Sequence, residues 1–224
     1  MTAAGLDSSP RKVSAAGGSA PAAMRLTRLY AASRRIPVAL GLLAAVGALL
    51  AVALDQHWAI AGGPAAQRVI PLSAEACAAA VIAVSCHGPF GEAERATGRW
   101  LPWLQLAAAV ALTAAAFGVL AAAGPAGLLP GGAWAVLRNV AGMSGLGLLC
   151  ASGLGGPFGW VGPAAYLVIS EAGLAAGWST PWLWAGRPPH DLGGAVCAGV
   201  ACAAGLAAIT LTGARGPSRS AGPG

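Results

Sequence analysis

Apolar residues along the chain are gathered into long runs, separated by short breaks rich in glycine, proline or charge. A helix needs about 20 residues to cross a bilayer core, and the runs at 37–54, 69–87, 101–123, 134–154, 158–177 and 193–213 approach that length. The pattern predicts an all-α, polytopic membrane bundle of about six transmembrane helices. The third run is free of charge, whereas the second and fifth each carry a carboxylate, Glu75 and Glu171. No internal repeat relates the first three runs to the last three, so an inverted-repeat transporter gains no support.

Composition reinforces the pattern. Only 9% of residues are charged, against 57% hydrophobic, where a soluble domain coats itself with about a quarter charged residues. Abundant Ala and Gly among Leu and Val suit helices that approach closely with the lipid bilayer as solvent. The net charge of +6 does not indicate nucleic acid, because the thirteen basic residues mostly flank apolar runs and form no face interleaved with aromatics. Arg11, Lys12, Arg25, Arg28, Arg34 and Arg35 precede the first run, Arg95 and Arg99 follow the second, and Arg215 and Arg219 follow the last. Arg68 and Arg187 fall in the alternate connections, and Arg138 within a run. Held cytoplasmic by the positive-inside bias, the basic segments predict that both termini face the cytoplasm.

Residues 1–23, rich in Ala, Gly, Ser and Pro, read as a disordered tail. Residues 24–36 read as a basic interfacial helix, 37–213 as the six-span domain and 214–224 as a second cytoplasmic tail. Ser33-Arg34-Arg35 has the look of a twin-arginine signal, but the further apolar spans favour an orientation role. Trp58, Trp100, Trp103, Trp134, Trp160, Trp178, Trp182 and Trp184 all fall near predicted span ends, where an indole is apolar on one side and wet at its N–H.

Ionisable groups at membrane depth are costly and mark candidate function. Glu75, Arg138 with neighbouring Asn139, and Glu171 are those groups here. Arg138 is expected to pair with Glu75 or, alternatively, with Glu171, and such pairs either fix helix register or contact a substrate. The five cysteines, Cys77, Cys86, Cys150, Cys197 and Cys202, are odd in number and lack CxxC spacing, so they read as small packing residues without a metal role. His87 has no ligating companion, and Asp55 and His57 read as solvated residues after the first span. Gly194, Ala198 and Cys202 repeat at four-residue spacing, a face suited to close packing.

The connection 89–102, PFGEAERATGRWLP, concentrates Glu92, Glu94, Arg95 and Arg99 between the second and third runs. Glu94-Arg95, then Gly98 and an apolar stretch with Pro102, resembles the coupling-helix region of the ABC-2-type exporter permeases. The basic helix before the first span and the six-span layout are also similar to that family. VLRNVAGMSGLGLLCASGLGG, followed by PWLWAGRPP, resembles actinobacterial membrane proteins associated with ABC exporters. The resemblance implies a bacterial inner-membrane permease subunit, present as a homodimer, with Glu92, Glu94, Arg95, Gly98 and Arg99 docking a cytoplasmic ABC ATPase. A small accessory membrane subunit would share the layout. No GxxxxGK[ST] loop is present to hold nucleotide phosphates, so no cofactor is expected on the chain itself and ATP acts through the partner.

A catalytic alternative rests on Gly142-Met143-Ser144-Gly145 in the fourth run and His190 before the sixth. That order resembles the rhomboid intramembrane serine proteases and implies Ser144 as nucleophile with His190 as base. Against it, His190 lies in a polar loop, and the second run lacks a His/Asn pair to supply oxyanion donors. The packing alternative makes Ser144 a small residue at a helix contact.

Overall fold

The computed structural model describes residues 36–56, 63–86, 101–124, 129 and 131–212. Among the described residues, six α-helices form the bundle: α1 Ile36–Asp55, α2 Gly63–Ser85, α3 Leu101–Ala123, α4 Gly132–Gly153, α5 Val161–Ala175 and α6 Leu192–Thr212. No strand occurs among the described residues. All helices but α5 are long and apolar enough to cross a membrane, as expected of a multi-pass membrane protein. The all-α class and the six-helix count agree with the sequence pattern.

Two boundaries differ from the apolar runs. The helix in the second run begins at Gly63, which brings Arg68 into α2 and out of the preceding connection. The fifth run contributes a helix of only 15 residues, about 22 Å long against a hydrocarbon core of about 30 Å. Local chemistry shortens it. Gly155 has φ 107°, open only to glycine, and leads into a 3-10 turn, Gly156–Phe158, with Pro157 in its first positions. At the far end Gly177 reverses the chain with φ 74°.

Side-chain contacts fix the direction of each helix. Arg68, early in α2, reaches Glu171, late in α5, while Ala83, late in α2, lies against Gly159 just before α5. Those helices are antiparallel. Gly142 and Gly145 of α4 face Ala198 and Ala201 of α6 in the parallel sense. Gly124 after α3 meets Leu129, whose carbonyl accepts from the Gly132 N–H at the start of α4, so α3 opposes α4. The chain between Asp55 and Gly63 is too short to set α2 parallel beside α1. The six helices therefore alternate, with Ile36, Ser85, Leu101 and Thr212 at one end. The connection 176–191 lies at the opposite end, here called the loop end.

α4 is the central element, packed on α2, α3, α5 and α6. About 72% of its spanning window is buried, against 28% or less for α1, α3 and α6. Gly145 and Gly205 make the α4–α6 approach: a Cβ on Gly145 would meet the backbone of Ala201 and Cys202, and one on Gly205 the backbone of Gly145. The outer faces of α1 and α6 carry Leu49, Val52, Val196, Val200 and Leu211 in the open, as a lipid-facing surface requires.

Candidate functional site

The bundle interior toward the loop end gathers Glu75, Arg138 and Asn139. On α2, Leu72, Glu75, Ala76 and Ala79 are buried at helical spacing, so Glu75 sits in an otherwise apolar inward face with 4% exposure. Asn139 of α4 meets it, its Nδ2 donating to Glu75 Oε2 at 2.9 Å. Asn139 Oδ1 is buried with no hydrogen-bond partner.

Arg138 does not form the expected pair with either carboxylate. Its Nη1 donates to the Pro188 carbonyl at 2.8 Å and its Nη2 to the Arg187 carbonyl at 3.1 Å, while Nε is buried and unpartnered. The guanidinium fork thus binds backbone of the connection that returns toward α4. Adjacent residues project in different directions on a helix, which sends Arg138 to the loop and Asn139 to Glu75. Glu171 takes a different arginine: Arg68 Nε donates to Oε1 at 3.3 Å and Nη2 to Oε2 at 3.2 Å. That pair is half-exposed toward the loop end, so Glu171 is not the deep group the fifth run suggested.

The connection 176–191 is held by a second arginine. Arg187 Nε and Nη2 donate to Asp191 Oδ2 and Oδ1 at 3.2 and 3.1 Å, and Nη1 donates to the Ser179 carbonyl at 2.9 Å. Asp191 also caps α6, accepting from the Gly194 N–H at 2.7 Å. The hydrogen bonds from Arg187 first, and that of Gly194 second, hold its carboxyl below the usual range. Trp184 drops from this connection into the bundle with 4% exposure. It stacks on Tyr166 of α5 at 4.2 Å between centroids and 15° between planes, and the Ala185 N–H donates to Tyr166 Oη at 3.1 Å. Gly142 leaves room for the indole edge, whose Nε1 finds no partner.

Trp184 thereby departs from the interfacial role read for all eight tryptophans. Trp103, Trp134, Trp160, Trp178 and Trp182 are exposed as that role requires; Trp58 and Trp100 lie outside the described residues. Tyr166, Trp184 and Asp191 were missed by sequence reading, although Asp191 one residue before a small-residue run carries a readable capping signal. Glu92, Glu94, Arg95, Gly98 and Arg99 lie outside the described residues, as do the interfacial segment 24–35 and both tails.

The serine and histidine of the catalytic alternative are not brought together. Ser144 is 1% exposed, and its Oγ has no hydrogen-bond partner. It stands roughly 9 Å further along α4 than Arg138 at about 1.5 Å per residue, away from the loop that Arg138 holds. His190 is exposed in that loop. Gly142 and Gly145 of the same motif pack against Trp184 and α6.

Comparison with known families, curated proteins and solved structures finds no match. The chemistry must therefore be read from the groups themselves. Among the described residues, no three His, Cys, Asp or Glu side chains gather as a metal site. The small cleft between α4 and α6, about 130 Å³, has Trp134, Leu137 and Ala141 facing Ala195, Ala198 and Gly199, with Arg138 its one charged wall. Typical ligand pockets take about 300–1,000 Å³, so this cleft is too small for a sizeable solute. What the described interior offers toward the loop end is the Glu75 carboxyl, the Asn139 amide and an arginine-held loop.

Proposed function

We propose that the chain is the membrane-spanning permease subunit of an ABC-type exporter in the bacterial inner membrane, worked as a homodimer by a separate cytoplasmic ATPase. The observation that carries the reading is the shared end of the bundle. Ser85 and Leu101, which bracket the charged connection with Glu92, Glu94, Arg95, Gly98 and Arg99, lie at the end that also holds Ile36 and Thr212. The arginine-rich segments attach at those last two residues, and positive charge retained inside makes that end cytoplasmic. An ATPase docked there would push on α2 and α3 together, and α2 carries the motion to the Glu75–Asn139 contact with α4. The arginine-held connection at the other end supplies an outer closure.

Reversing the pair, Glu94→Arg with Arg95→Glu, is expected to uncouple ATP hydrolysis from transport in reconstituted complexes while leaving the helical content unchanged. Coupling that survives the reversal sinks the docking assignment. Recovery of no ATPase with the chain from gentle detergent favours an accessory membrane protein instead. The protease reading has less behind it, since Ser144 is enclosed and distant from His190. Labelling of Ser144 by a fluorophosphonate, lost in His190→Ala, would reverse that ranking.

A further inference from the structure

Glu75 is a carboxyl inside a membrane helix with 4% exposure and a neutral amide as its hydrogen-bond partner. A bare carboxylate in such surroundings is expensive and is either paired, neutralised or functional. Among the described residues, Glu75 has no arginine partner: Arg138 gives its fork to the carbonyls of Arg187 and Pro188, and Arg68 gives its own to Glu171. Asn139 binds only Oε2 and leaves its own Oδ1 without a donor. The buried amide is thus a second polar group at the same spot with an unmet valence. Oε1 is left to carry a proton, with Oε2 accepting from Asn139 whether the group is acid or carboxylate.

We propose that Glu75 is a proton-binding site inside the bundle, exchanging a proton between Oε1 and water at the loop end. The step is a simple protonation: a hydronium gives its proton to the carboxylate, leaving water and a neutral acid. Toward the loop end, Arg68 shares a face of α2 with Glu75 two turns away, about 10 Å; buried Leu72 stands between them, so exchange with water requires that side chain to move aside. The half-exposed Arg68–Glu171 pair lies on the loop-end side of Leu72.

The ionisable groups that face Glu75 are few. α4 presents Arg138, whose charge reaches it through space, and α5 presents Tyr166. Glu171 and Arg68 neutralise one another above it, as do Arg187 and Asp191 in the loop. α3 and the 3-10 turn Gly156–Phe158 carry no ionisable side chain, and α1 has only exposed Asp55 at its loop end. Among the charged groups described, protonation therefore sets Glu75 against Arg138: the charged form attracts Arg138 and competes with the loop carbonyls for it, and the neutral form releases it to them.

The inference does not rest on the exporter reading, because the purified chain in lipid nanodiscs tests it without an ATPase. Infrared spectra are expected to show the carbonyl band of a protonated carboxyl in the wild type, shifted in deuterated buffer and absent from Glu75→Gln. Dicyclohexylcarbodiimide, which attacks protonated carboxyls in apolar settings, is expected to modify Glu75, as mapped by peptide mass spectrometry, and to spare Asp191. Modification should fall about tenfold per pH unit on the alkaline side of its midpoint. Asn139→Ala takes away the one bond that favours the carboxylate, so its labelling should persist to higher pH; an unchanged profile overturns the part assigned to Asn139. Lack of the band in the folded wild type, or its survival in Glu75→Gln, overturns the proposal.

Discussion

Gly145 and Asp191 show how much single residues decide here. A side chain at Gly145 would push into the α6 backbone, which cannot yield as a flexible side chain would. Gly145→Val is expected to cost about 1–3 kcal/mol through overpacking, read as a lower unfolding midpoint in detergent, whereas Gly153→Ala, with open space around it, should change little. Asp191 contributes through its charge. Its carboxyl sits below the usual range because Arg187 and then Gly194 bind the ionised form. Its contribution is therefore whole above the unfolded carboxylate value, near pH 4, and is lost as pH falls through the lower folded value. Hydrogen exchange at the Gly194 amide should accelerate in that acid range, and Asp191→Asn should remove the pH dependence. The Arg68–Glu171 pair, half-exposed, is expected to be worth less than about 1 kcal/mol, so Arg68→Ala should leave the unfolding midpoint nearly unmoved.

At the scale of elements, the connection 176–191 behaves as a structural member. Trp184 fills the space between Gly142, Ala198 and Tyr166, and two arginines grip the backbone beside it. Trp184→Ala is expected to cost about 3–5 kcal/mol and to expose the Arg187–Pro188 segment to proteolysis from the loop end. Protection equal to wild type would mean that Arg138 and Arg187 suffice. α5 is legible in the sequence as an apolar run but not in its true length, because a hydropathy pattern cannot see that Gly155 and Pro157 commit the preceding residues to a 3-10 turn. The pairing of Arg138 was hidden for a related reason. Spacing along one helix says which residues share a face, and the face of α4 that carries Arg138 looks at a loop folded back from beyond α5.

For the molecule as a whole, alternation of six helices places Ser179 at one end and the attachment of residues 213–224 at the other. With the five native cysteines replaced, a single cysteine at Ser179 is expected to react with a membrane-impermeant maleimide on intact cells. One at Ser218 should react only after lysis. Reaction of both on the same side would mean that α6, the helix between them, turns back without crossing, and would overturn the exporter geometry.

The apolar runs and the scarcity of charge determined by themselves that this chain is a multi-helix membrane bundle, and they named Glu75, Arg138 and Asn139 among its interior polar residues, while Glu171, named with them, lies half-exposed at the loop end. Those facts depend on each segment's own solvation, which composition records directly. Which of these residues meet was decided only by the tertiary structure. Partner choice depends on helix rotation, on the backbone contact between Gly145 and Gly205, and on a loop that returns to the bundle through Trp184, and none of these is a property of a segment taken alone.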